Sequence, residues 1–117
     1  MHHLSAVELA EWLAASEPSP GIATSPDRQE PMLLDVREPW EYALCHIAGS
    51  LLMPMRTLPT RLNELDAAAD IVVICHHGVR SLQVGAFLER QGFSAIFNLS
   101  GGVDAWADDV EPAMDKY

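Results

Sequence analysis

Residues 71–99 read IVVICHHGVRSLQVGAFLERQGFSAIFNL. Ile71, Val72, Val73 and Ile74 form an unbroken branched apolar run, the pattern of a strand buried on both faces, as in a parallel sheet. Residues 81–91 then set Leu82, Val84, Ala86, Phe87 and Leu88 against Glu89, Arg90 and Gln91, an amphipathic helix that Gly92 closes as its C′ residue. A second apolar strand is expected over 95–99. Strand, helix and strand in so short a span make a βαβ unit, whose strands must run parallel. The fold class that follows is α/β, an open and mostly parallel sheet flanked by helices on both faces. In such sheets ligands bind at the carboxyl ends of strands, and Cys75 stands at that end of the first strand.

The turn after Cys75 is short, and Gly78 supplies the permissive backbone it needs. Successive loop N–H groups can converge into an anion-binding nest beside the positive end of the following helix, and that field favours a thiolate. Arg80 adds a permanent positive charge; His76 and His77 add more only when protonated. A bland alternative is a small thiol buried at a strand end. A zinc site is not expected, because ligands adjacent in sequence lack the usual spacing of two to four residues and no second cluster completes the set. His2 and His3 lie in a terminus expected to be disordered.

Four segments in order give the chain a family resemblance. Leu33, Leu34, Asp35, Val36, Arg37 and Glu38, with Glu41 and Tyr42, form the first; His46, Ile47, Ala48, Gly49 and Ser50 the second; Cys75 through Ser81 the third; and NLSGGVDAW from Asn98 to Trp106 the last. Together they resemble the single-domain rhodaneses, the thiosulfate sulfurtransferases, over roughly residues 32–107. Cys45 departs from the pattern, standing where glycine is common. The resemblance implies a rhodanese-like fold and Cys75 as the catalytic nucleophile, taking the outer sulfur of thiosulfate as a persulfide and passing it to a thiophilic acceptor such as cyanide or a thiol. His76, His77, Gly78, Val79, Arg80 and Ser81 would then bind substrate, with Arg80 orienting the donor's sulfonate. No cofactor is implied. Rhodanese-like phosphatases and arsenate reductases carry five residues between cysteine and arginine, whereas His76, His77, Gly78 and Val79 make four, so the loop resembles the sulfur-transferring class.

Other residues read as structural. Arg37 is expected to pair with Glu41 along the pocket wall, and His46 resembles the family's structural histidine. Trp12, Trp40 and Trp106 read as packing residues, and Gly101 with Gly102 as a tight turn. Cys45 is read as a small core residue, with a resolving thiol as the alternative; a disulfide with Cys75 would consume the nucleophile.

The chain of 117 residues is about half apolar, enough for one domain spanning 1–117 with its core over about 4–107. Ser5 and Glu8 form a capping-box pattern ahead of a helix whose apolar face carries Leu4, Val7, Leu9, Trp12 and Leu13. This segment lacks the basic leader and long apolar run of a signal peptide, and nothing approaches the roughly 18 apolar residues of a membrane span. Residues 17–31 read as a surface loop, and 108–117 as an acidic, solvated tail. A net charge of −10 argues against nucleic acid or an anionic membrane as partner. The partners left are a small anionic sulfur donor with its acceptor, or a protein that donates or takes a persulfide. Two thiols without a disulfide framework suit the cytoplasm. Three classes therefore stand: sulfurtransferase, protein-to-protein sulfur relay, and a binding domain of rhodanese fold, the last disfavoured because cysteine and arginine are both in place.

Overall fold

The computed structural model describes residues 1–16 and 30–117, so most of the loop expected over 17–31 lies outside the described residues. The strands are β1 (His2–Leu4), β2 (Met32–Asp35), β3 (Leu51–Leu52), β4 (Ile71–Ile74) and β5 (Ile96–Leu99), and the helices α1 (Ala6–Ser16), α2 (Pro39–Leu44), α3 (Val79–Arg90) and α4 (Gly102–Asp109). Two 3-10 segments, Met55–Thr60 and Leu62–Glu64, join β3 to β4. The strands make one sheet in the order β1-β5-β4-β2-β3, and every pairing is parallel. β4 is central, and all four of its residues are buried.

Because successive strand residues face opposite ways, the sheet feeds two cores. Leu33, Val72, Ile74 and Leu99 pack with Leu9 and Trp12 of α1 and Val103 and Trp106 of α4. Leu34, Ile71, Val73 and Ile96 pack on the other face with Leu58, with Val84 and Leu88 of α3, and with Phe93. Fully burying one such side chain contributes about 1.5–3 kcal/mol. This is the α/β architecture with helices on both faces that the apolar runs imply.

Local signals account for the helix ends. Ser5 and Glu8 form the capping box: the Glu8 N–H donates to Ser5 Oγ at 3.1 Å and the Ser5 N–H to Glu8 Oε1 at 2.9 Å. Gly92, at φ +95°, closes α3 in a Schellman motif. Its N–H reaches the Glu89 carbonyl at 3.1 Å and that of Phe93 reaches Leu88 at 3.1 Å, satisfying carbonyls the helix leaves open.

Several expectations are corrected. α3 starts at Val79, two residues early, because Gly78 in the left-handed region serves as its N-cap. Its buried stripe is Ser81, Val84, Gly85 and Leu88, so Leu82 points outward. Val7 is likewise exposed, and Ala6 takes its place in the core. His2 and His3 are ordered in β1, paired with Phe97 and Asn98; the free edge of β5 offers unmet hydrogen bonds, and buried Leu4 anchors the strand. The acidic tail expected over 108–117 is exposed at 111–113, 115 and 116 but is tied down by its other side chains. Met114 is buried in the α1/α4 core, Lys116 pairs with Asp108 at 2.7 Å, and Tyr117 returns to the loop that follows β4. Among the described residues no helix is long and apolar enough to cross a membrane.

Candidate active site

β4 delivers Cys75 to the carboxyl edge of the sheet with 1% of its surface exposed. Gly78, at φ +99°, turns the chain back so that its N–H donates to Cys75 Sγ at 3.0 Å. A side chain there would be strained, and its Cβ would stand 3.1 Å from the Gly101 nitrogen. Ser81 Oγ lies 3.3 Å from the sulfur and donates to Asn98 Oδ1 at 2.5 Å. Since a hydroxyl has one proton, Ser81 stands as acceptor toward a Cys75 thiol while it donates to Asn98.

The first turn of α4 braces this loop from behind. The Val103 N–H donates to the Cys75 carbonyl at 2.9 Å and the Asp104 N–H to that of His76 at 3.1 Å. Gly102 sits at φ +57°, and a Cβ on it would collide with both carbonyl oxygens. The Gly101–Gly102 pair, expected to serve a turn, is thus also the contact that lets α4 approach the loop backbone.

Arg80 does not stand free. Its two terminal nitrogens donate to Glu41 Oε1 at 2.7 Å and Oε2 at 2.8 Å, a bidentate fork. The Tyr117 hydroxyl donates to Glu41 Oε2 at 2.6 Å and accepts from Arg37 Nη1 at 3.0 Å. The Arg80 fork, working against burial and helped by Tyr117, holds the Glu41 carboxyl down at about 2. Burial, with the bond to Glu41, pushes the Tyr117 phenol up to about 12. Arg80 is raised by Glu41 above its ordinary value, and a charge on Cys75 contributes in the same direction.

The expected Arg37–Glu41 carboxylate pair does not form. Arg37 instead gives Nε and Nη2 to Asp35, the latter at 2.7 Å, both side chains fully buried, and reaches the Cys45 carbonyl at 2.7 Å. Arg37 precedes α2, so a four-residue separation does not put it on one helical face with Glu41. His46 fits the structural reading: Nδ1 is 2.8 Å from the Tyr42 carbonyl and the ring stacks on Tyr42 at 3.9 Å. Trp12 and Trp106 are buried, but Trp40 is 63% exposed and makes an edge-on contact with the Tyr117 ring. Cys45 is half-buried, and both thiols are free.

His76 is sandwiched between two rings, Tyr117 at 3.8 Å and His77 at 3.9 Å. Burial first, then His77, lowers its pKa from the ordinary histidine value. The expected loop therefore divides: Cys75, Gly78 and Ser81 converge on the sulfur, Arg80 is held beside them, and Val79 and His77 face outward. Asn98, Tyr117 and Asp104 were not singled out as site residues. Asn98 left a signal, a polar residue inside an apolar strand that is only 5% exposed; Tyr117 left none.

A parallel α/β sheet whose central strand ends in a cysteine loop closed by arginine defines a protein of rhodanese-like class. The family model for the rhodanese-like domain matches residues 21–109. A sulfurtransferase of Allochromatium vinosum is 40% identical over 81 residues, covering 69% of this chain and 76% of that one. The thiosulfate sulfurtransferase GlpE of Pseudomonas fluorescens is 37% identical, covering 67% and 72%. A rhodanese-like domain protein from Staphylococcus aureus superposes with a TM-score of 0.77 at 31% identity, over 94% of this chain and 95% of that one. The chain belongs to the rhodanese family and is a rhodanese-type sulfurtransferase.

Proposed function

We propose that the protein moves a sulfane sulfur from thiosulfate or a similar small anionic donor to a thiophilic acceptor, with Cys75 as carrier. The observation that carries this reading is the setting of Cys75 Sγ, which accepts the Gly78 N–H and lies against Ser81 while the loop closes at Arg80 after four residues. The Cys75 thiolate attacks the outer sulfur of thiosulfate; a new S–S bond forms, the old one breaks, and sulfite leaves with its electron pair. Cyanide or a thiolate then attacks the terminal sulfur and returns the cysteine thiolate. The Gly78 N–H stabilises negative charge on the sulfur, as an oxyanion-type donor does. Arg80 shares its charge with the donor's sulfonate while Glu41 keeps the guanidinium in place. Its positive field counters the net charge of −10 locally, and salt screens the remainder.

A protein persulfide donor is the second reading, favoured by apolar surface next to the loop: Val79 is 66% and Trp40 63% exposed. Intact mass spectrometry after brief exposure to thiosulfate tests both. A gain of one sulfur, lost on adding cyanide and absent from Cys75→Ser, supports the first. No gain from thiosulfate, with rapid gain from a persulfidated cysteine desulfurase, moves the donor to a protein; no gain from either removes the sulfur chemistry altogether. A reducing compartment such as the cytoplasm suits a thiol that must stay free.

A further inference from the structure

We propose that His76, His77 and Asp104 form a binding site for one divalent transition cation of the borderline class, such as Zn2+. The proposal does not rest on the sulfur-transfer reading, because Cys75 is not among the ligands. Spacing along the chain argues against such a site, but the fold brings the third ligand from α4. One ligand atom from each of the three residues lies within 4.8 Å of the others. His77 Nδ1 and Asp104 Oδ2 are 3.9 Å apart, too far for a hydrogen bond. Two donors on a tetrahedral ion with bonds of 2.0–2.1 Å stand about 3.3 Å apart, so this pair closes by about half an ångström, and a pair at the full 4.8 Å spread of the three would close by about 1.5 Å. Two imidazoles and one carboxylate are a donor set that suits zinc and its neighbours.

The backbone beneath the site is braced, and the exposed His77 ring turns off its stack on His76 to aim a lone pair at the ion. The Asp104 N–H is bonded to the His76 carbonyl and the Val103 N–H to that of Cys75, and the Tyr117 ring fixes one face of His76. The competing cation, Lys116, is 3.4 Å from Asp104 Oδ1 but 2.7 Å from Asp108 Oδ1, so Asp108 retains it when Asp104 turns to the ion. His77 is 62% exposed, which leaves an entry path and room for water in the remaining positions.

The test uses full-length Cys75→Ser protein, which removes the reactive thiol, titrated with zinc chloride by calorimetry near neutral pH. One equivalent should bind, weakened about tenfold or more by His77→Ala and by Asp104→Asn, since even outer partners of a metal site are worth that much. His77→Ala alters an exposed side chain and so keeps the fold. In parallel, zinc should move the imidazole NMR signals of His76 and His77 and leave those of His2, His3 and His46 in place. Absence of binding, binding that survives both substitutions, or shifts confined to the other histidines each overturns the site.

Discussion

Glu41→Gln removes one charge from the Arg80–Glu41–Tyr117 group while keeping its shape, and the outcome can be worked from the carboxyl's own titration. Glu41 ionises at about 2 in the folded protein against 4.5 in an unstructured chain. Each unit is worth 1.36 kcal/mol, so the ionised carboxylate stabilises the fold by about 3 kcal/mol at neutral pH. That is an upper figure, because Arg80 keeps 33% of its surface in water and solvent screens the pair. The sign is set by the depressed folded value: the contribution is complete above 4.5 and is lost as pH falls through 2. At pH 3 it has shrunk to about 1 kcal/mol. Glutamine mimics the protonated acid, so urea midpoints of wild type and variant should stand far apart at pH 7 and draw together at pH 3, with equal slopes. Other carboxylates titrate in both proteins and cancel. A gap of equal size at both pH values, or none at pH 7, would refute the assignment of Glu41's stabilising role to its charge.

Tyr117→Phe should remove the hydroxyl from Glu41 and Arg37 at a cost of about 1–2 kcal/mol in urea unfolding, and carbon-detected NMR should show the Glu41 carboxyl titrating higher than in wild type. Gly102→Ala forces a Cβ into the carbonyls of Cys75 and His76 at positive φ; a loss of about 2–4 kcal/mol is expected from combined strain and clash, together with slowed sulfur loading, both read on one purified sample. The His76 ring should titrate by NMR below the ordinary 6.5. Protonating it costs more in the folded state, so Tyr117→Ala, which uncovers one face, should bring the midpoint back up; an unmoved midpoint would show that the stack does not desolvate the ring.

The sheet and its site were legible wherever the signal is local. Ile71–Ile74, Gly78, Gly92 and the Ser5–Glu8 box each carry their structure in neighbouring residues. What was not legible depends on partners far apart in the chain. Tyr117 meets Glu41 across 76 positions and Arg37 across 80, so no periodicity marks it, and an acidic segment holding Met114 and Tyr117 reads as solvated although those two side chains tie it down. The Arg37–Glu41 pair gives way for a related reason: Glu41 is claimed by Arg80, 39 positions away, while Arg37 turns to Asp35 two residues back. His77 and Asp104 likewise meet only because the β5–α4 crossover returns to the loop, which spacing alone does not reveal.

The strand order also bears on how the protein is made. Among the described residues β1 has a single neighbour, β5, and the Ser100 N–H closes on the Leu4 carbonyl at 2.8 Å. On a ribosome adding roughly 5–20 residues each second, β1 therefore waits on the order of 5–20 s for its partner strand to be synthesised. Through that interval Leu4, Leu9 and Trp12 lack the Leu99, Val103 and Trp106 surface that finally shares their core. A segment made long before its partner strand is thus among the last to be covered, and through that interval its greasy face is open to a chaperone at the tunnel exit.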